Sequence, residues 1–326
     1  MVERARKSHI WGWICLLVII GVGVGVFLNR EWLFDYYRGI TYHPSSEMAR
    51  IRSDLQLTDK GEFLFNAAQP ELEGSAEFNS YCRNDGSEVA VLGCYTSGNI
   101  YVYNIENAEL NGIRELTTAH ELLHAKWARM SEDERRALVE PLTRTFEANQ
   151  SLLESELNTY ETSEKQEELY VRAGTEIAKL PDILEKHYAE IFKNQDAIVT
   201  FYNNYIGVFK TLTAELDTLK AEMDEIGTQI DAKKTEYENR VDQLTKEVND
   251  FNNCAKTEGC FETEWLFNAR RAELVTEQGA LELLYNEIND LVNIYNTKVE
   301  AYNADVLRSE KLNNMINSAS KPKEIE

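Results

Sequence analysis

Proline is scarce in this chain, with five in 326 residues. Because proline costs about 3 kcal/mol inside a helix, its scarcity leaves room for long helices. Basic residues are in short supply too: 34 Lys and Arg face 56 Asp and Glu, a net charge of −22. With no long basic run to meet phosphates, nucleic acid is excluded as a natural partner. The chain is nevertheless 43% hydrophobic and 28% charged, which excludes a disordered polyampholyte. At about 150 residues per domain, two folded units are expected. Histidine is rare as well, five in all, yet His120 and His124 lie within five residues of each other.

One stretch lacks charge altogether. Residues 10–28, IWGWICLLVIIGVGVGVFL, lie between His9 and Arg30. As a helix the stretch spans roughly 28 Å, matching a hydrocarbon core of about 30 Å. Trp11 and Trp13 stand at one edge, and Trp32, Tyr36 and Tyr37 lie just beyond the other, as an aromatic belt would. Arg4, Arg6 and Lys7 precede it, so the positive-inside rule places residues 1–9 in the cytoplasm and everything after residue 30 outside. No A-x-A-like cleavage site follows, so a retained transmembrane signal anchor is expected rather than a removed signal peptide. Gly21 and Gly25 could form a helix-packing face.

Cysteine usage agrees with an oxidising compartment. Apart from Cys15, the cysteines fall into two close pairs, Cys82 with Cys94 and Cys254 with Cys260. Local disulfides are the simplest of three connectivities. The stretch between Cys82 and Cys94 holds a hairpin signal at Asp85-Gly86. No C-x-x-C spacing supports a four-thiolate zinc site.

Residues 29–204 have mixed character. A helix is expected near residues 47–57 and a strand over 99–105, NIYVYNI, rich in β-branched and aromatic residues. A helix over 113–130 follows. Ser131 and Glu134 form a capping box opening the next one, and further helices are expected over 143–180 and 182–192, separated by Pro181. From about residue 205 the pattern changes. Leu212, Leu216, Leu219, Met223, Ile226 and Ile230 recur at steps of four and three, resuming at Tyr237, Val241, Leu244, Val248 and Phe251. A second run carries Leu274, Leu281, Leu284, Ile288, Leu291, Tyr295, Val299, Tyr302 and Val306. Two such arms, roughly 65–70 Å long and joined at the second cysteine pair, read as an antiparallel coiled-coil hairpin over 205–318. Residues 319–326 read as a disordered tail. The fold class is α+β: a mostly helical domain with a small sheet, then the hairpin, behind one transmembrane helix.

The chemistry centres on Thr117-Thr118-Ala119-His120-Glu121-Leu122-Leu123-His124-Ala125, which contains H-E-x-x-H. On a helix, residues i and i+4 share a face, so His120 and His124 can hold one Zn²⁺. Glu121, beside the first ligand, can act as general base on a water.

This stretch resembles the zincin metallopeptidases; the resemblance covers roughly residues 90–190. It implies a peptidase domain over 29–204, with a strand before the motif helix whose edge binds an extended peptide, a role that NIYVYNI fits. The metzincin pattern would need Gly at 127 and His at 130, where Trp127 and Met130 stand. The resemblance is therefore to gluzincins, which implies a third ligand from a Glu on a later helix: Glu168 first, Glu176 close behind. It further implies a Tyr or His that binds the developing oxyanion, and His187 or Tyr188 is placed for this. The expected function is that of a membrane-anchored extracytoplasmic zinc metallopeptidase acting on a peptide or protein, with a protein partner on the coiled coil. The alternatives are a cell-surface tether or scaffold with a non-catalytic metal site, and an amidase acting on cell-wall material.

Overall fold

The computed structural model describes residues 2–82, 91–162 and 164–318. The hairpin signal at Asp85-Gly86 and the tail 319–326 lie outside them. Helices predominate, as the scarcity of proline suggests. In chain order the elements are α1 (Val2–Leu28), α2 (Arg30–Thr41), α3 (Ser46–Asp54), α4 (Asp59–Ala68), β1 (Glu71–Glu73), α5 (Ser75–Tyr81), β2 (Gly93–Thr96) and β3 (Asn99–Tyr103). A short 3₁₀ turn at Ala108–Leu110 leads to α6 (Ile113–Arg129), α7 (Glu132–Ala148), α8 (Gln150–Leu157), α9 (Lys165–Glu176), α10 (Asp182–Tyr188), α11 (Gln195–Ala255) and α12 (Glu264–Ile316).

The described residues divide into two compact units, those up to residue 208 together with 313–318, and residues 209–312. In the first, the three strands run in the order β1-β3-β2, with β1 parallel and β2 antiparallel to β3. The NIYVY segment is thus the central strand, and both its edges are taken. This corrects its expected role as the edge for a substrate: the edges are β1 and β2, both short, and the Gly and Cys of β2 give little strand signal. Ser97 and Gly98, both with positive φ, make the two-residue turn that joins β2 to β3.

Helix α6 packs on the sheet and lies at the centre of the unit. Leu122, Leu123 and Ala119 on it are fully buried, together with Ile51 of α3 and Leu55 just after it, Phe65 of α4, Ile100 and Val102 of β3, and Tyr170 and Val171 of α9. The capping box at the start of α7 is formed: the Ser131 hydroxyl accepts from the Glu134 amide, and the Glu134 carboxylate accepts from the Ser131 amide. The helix expected over 143–180 is broken instead. Helix α7 runs through Pro141 and stops at Asn149, whose side chain donates to the Thr145 carbonyl at 2.8 Å and so caps the end. Residues 56–58 and 190–193 meet in a clasp. Leu57 pairs with Phe192, the Thr58 amide donates to the Ile191 carbonyl at 2.9 Å, and the Lys193 amide donates to the Gln56 carbonyl at 2.8 Å.

In the second unit α11 and α12 run antiparallel. Lys298 pairs with Glu222, Lys233 with Glu287, Arg240 with Glu277 and Arg270 with Glu247. These ion pairs sit at the surface and contribute little each, about 0–1 kcal/mol. Leu212, Leu274, Leu281 and Leu284 are buried between the helices. Val248, expected inward, is exposed; Glu247 turns toward Arg270 instead. The Cys254–Cys260 disulfide closes the tip, beside a cluster of Phe251, Phe261 and Phe267.

Among the described residues no single helix is long and apolar enough to cross a membrane. The pair Trp13–Leu28 and Arg30–Thr41 passes together by length and composition, with a 71° bend between them.

Candidate metal centre

His120 and His124 stand one turn apart on α6, their rings 5.1 Å from centre to centre. Glu168 reaches them from α9. Its Oε1 lies 3.7 Å from His120 Nε2 and its Oε2 lies 3.5 Å from His124 Nε2. Around a tetrahedral ion with bonds of about 2.0–2.1 Å, ligand atoms stand about 3.3 Å apart. Two imidazole nitrogens and a carboxylate oxygen, all within 4.8 Å of one another, therefore form a group that could hold a metal ion. The close approach of α9 to α6 makes this possible and depends on Gly174. A Cβ there would stand 2.5 Å from the Leu123 side chain and 2.6 Å from the Tyr188 ring.

A second carboxylate completes the support. His124 Nδ1 faces Glu167 Oε1 at 2.8 Å. A carboxylate only accepts, so Nδ1 carries the proton and Nε2 is left for a metal. The adjacent pair Glu167-Glu168 is the signal of this in the sequence: one carboxylate for the ligand set and one to fix the histidine tautomer.

Charge is arranged to favour a cation. Burial holds His120 down to about 3, against the pull of Glu168. Burial alone would lower His124 as well, but its hydrogen bonds to Glu167 and Glu168 and the charge of Glu121 outweigh it and raise His124 to about 10. Burial also opposes ionisation of Glu168, yet His120, His124 and Arg172 bring its carboxyl down to about 2. The metal-free group thus carries a proton on His124, where a metal ion would otherwise supply the positive charge.

Glu176 does not join the group. Arg172 stands between the two candidate glutamates, donating from Nε to Glu168 Oε1 at 2.6 Å and from Nη1 to Glu176 Oε1 at 3.0 Å. Burial pushes the Glu176 carboxyl up to about 7 in spite of Arg172, and the nearby Glu168 charge adds to the rise. Removing the guanidinium would strand two buried carboxylates. Arg172→Met is therefore expected to destabilise the metal-free protein by about 3–5 kcal/mol, read as a lower urea midpoint, with Arg172→Lys recovering only part because it lacks the fork.

Nor does the structure bring His187 or Tyr188 to the metal group. Tyr188 is fully buried and its hydroxyl donates to the Tyr170 carbonyl at 2.6 Å. His187 Nε2 lies 3.0 Å from the Tyr170 hydroxyl, and the His187 ring packs edge-on against Tyr170 and Tyr188. Proximity in sequence favoured these two residues; packing of α10 commits Tyr188 to the core and holds the half-buried His187 against Tyr170.

Glu121 is 6% exposed and lies between α6 and β2. A Cβ at Gly93 would stand 2.9 Å from Glu121 Oε1 and 2.6 Å from a Thr117 methyl carbon. Only a glycine lets the β2 backbone come this close. Its neighbour Cys94 ties the same strand to the end of α5 through the disulfide with Cys82. No protein-family model matches the chain, and no curated protein and no solved structure matches it.

Proposed function

We propose that the chain is a membrane-anchored, extracytoplasmic zinc metallopeptidase of the gluzincin kind. The observation that carries this reading is the convergence of His120, His124 and Glu168, with Glu121 one residue from the first histidine and against strand β2. Three protein ligands leave a fourth position for a reactant, as catalytic zinc sites do and closed structural sites do not. The histidine side chains keep 21% and 20% of their surface exposed, so the group is not sealed from solvent. His120, His124 and Glu168 would hold the zinc, which would supply Lewis-acid polarisation of a scissile carbonyl and acidify a water. Glu121 takes the proton of the attacking water and delivers it to the leaving amine. Strand β2, rather than β3, is the strand placed to align an extended peptide beside Glu121.

Residues 10–28 form the anchor in this reading, supported by their lack of charge and by exposed Trp11, Trp13, Leu17 and Ile19 on α1. The two disulfides suit an oxidising compartment. The α11–α12 hairpin is an antiparallel coiled coil that recruits a partner or delivers substrate.

Zinc content tests the reading directly. The full chain is expected to bind one equivalent and His120→Ala none; cleavage of a peptide library is expected only from the former. Zinc uptake should also release about one proton, because His124 is charged in the metal-free group and metal and proton compete for it. The sign follows: raising the pH removes the competitor, so apparent affinity should climb by up to about tenfold per pH unit through the neutral range. Calorimetric titration at one pH in buffers of different ionisation enthalpy counts that proton. Equal heats in all buffers would show that His124 is neutral before the metal arrives.

A further inference from the structure

Helix α2 is amphipathic the wrong way round for a soluble protein. At about 100° per residue, Trp32, Tyr36, Ile40, Leu33 and Tyr37 fill one continuous arc of about 140°. That arc faces outward, with exposures of 55%, 48%, 59%, 38% and 62% respectively, and no residue of the helix is buried. Of its four charged residues, Arg30 and Glu31 at the start are exposed, whereas Asp35 and Arg38 turn inward. Asp35 accepts two bonds from Arg129, at 2.7 and 2.9 Å. Arg38 donates to the carbonyls of Ala67 and Gly98, at 2.7 and 3.0 Å, and to the Asn99 side chain. A helix on the surface of a soluble domain buries its apolar stripe and exposes its charges. A contiguous apolar face of this kind marks a place that something covers.

What covers it follows from where α2 begins. Only Asn29 separates it from Leu28, the end of the uncharged run, and the two helix axes meet at 71°. With the run spanning a bilayer as proposed above, on which this inference rests, α2 starts at the edge of the hydrocarbon. A helix bent 71° away from an upright span lies within about 20° of the membrane plane. The outward arc then sits at the depth where Trp and Tyr concentrate. We propose that α2 is an interfacial helix whose aromatic arc is embedded in the lipid surface. The partner is the headgroup–acyl boundary of the membrane, and the attraction is apolar. A chain of net charge −22 gains nothing from anionic lipid, so a zwitterionic surface suffices.

The bonds on the other side of α2 give this contact a use. Arg129, which holds Asp35, is five residues beyond His124 on α6, roughly 7–8 Å along the helix. The same guanidinium donates to the Tyr95 hydroxyl of β2 at 2.8 Å, two residues from Gly93. The interfacial helix is thus bonded both to the helix that bears the histidines and to the strand beside Glu121. It holds the metal centre at a set height beside the bilayer surface.

Nitroxide depth measurement tests this in the full chain. In a Cys15→Ser background, single labels are placed at Ile20→Cys, Tyr37→Cys, Ile40→Cys and, as the water reference, Asp224→Cys on the hairpin. The chain is reconstituted in phosphatidylcholine vesicles, and relaxation by lipid-soluble oxygen is compared with relaxation by a water-soluble nickel chelate. The α2 positions are more than half exposed, so the labels do not disturb packing. The expected result is that oxygen dominates at residues 20, 37 and 40, with the shallower values at 37 and 40, whereas nickel dominates at 224. If residue 20 is in lipid while 37 and 40 match 224, the anchor stands and the interfacial helix is wrong. If residue 20 matches 224, the anchor reading fails and takes this inference with it. Dipolar broadening at residues 37 and 40 that disappears on dilution with unlabelled chain would assign the arc to a second copy and overturn the proposal.

Discussion

Glu121→Gln is expected to leave zinc bound and the fold unchanged while hydrolysis of a responsive peptide falls by about 10²–10⁴-fold, the usual worth of a general base. The substitution keeps the shape of the side chain, so its packing between α6 and the β2 backbone at Gly93 survives. It leaves both histidines and all three glutamates of α9 in place, removing only the Glu121 charge felt by His124. His124→Ala should differ in kind. It removes a ligand and also strands Glu167, which now bonds His124 Nδ1 at 2.8 Å, so zinc and activity should disappear together. The two variants separate a catalytic ion from a structural one. A Glu121→Gln protein that cleaved as fast as the wild type, with zinc in place, would leave the proposed chemistry without its base.

The second large effect concerns the glutamates of α9, which three substitutions should rank. Glu168→Ala removes the carboxylate that faces both Nε2 atoms, at 3.5 and 3.7 Å, and should weaken zinc by more than about 100-fold. Glu167→Gln leaves the ligands intact but takes the acceptor from His124 Nδ1; a change at that distance from the ion typically costs about 10–100-fold. Glu176→Gln should leave affinity within about tenfold, because Arg172 stands between that carboxyl and the ligand. Competition against a chelating dye gives all three constants. Loss of zinc in Glu176→Gln with retention in Glu168→Ala would reverse the assignment of the third ligand.

The parts of the site that could be read from sequence were those set by helical periodicity. His120 and His124 share a face because they are four apart, and the Ser131–Glu134 box forms because both partners lie within one turn. The parts that depend on chain segments meeting across the fold were less legible. Glu168 and Glu176 look alike in sequence, and what distinguishes them is which one α9 turns toward α6 and how Arg172 bridges them. NIYVY reads plainly as a strand, but its place in the middle of the sheet depends on β1 and β2, which are short and weakly patterned. His187 and Tyr188 looked like reacting groups in a chain with few histidines; only the structure shows that both bond Tyr170, Tyr188 from within the core and half-buried His187 from beside it. In the long helices the apolar stripe was legible almost throughout, and it missed at Val248, where an ion pair with Arg270 turns Glu247 inward.

The clasp between residues 56–58 and 190–193 has a consequence for how the protein is made. The Thr58 hydroxyl donates to the Glu190 carbonyl across 132 positions, and every residue of the metal group lies between them. Closing a flexible loop of that length costs on the order of 4 kcal/mol in chain entropy before any contact returns it. Contacts so distant in sequence place the first unit among slowly folding topologies, in which late non-local steps complete the core. On a ribosome, the H-E-x-x-H helix emerges long before the segment that closes the ring around it. A chain stalled or cut short of Phe192 would display both histidines and Glu168 without the clasp that consolidates their scaffold. Pulsed proteolysis of stalled nascent chains should show protection of the α6 region arriving only after residue 193 has cleared the exit tunnel, rather than when the motif itself appears.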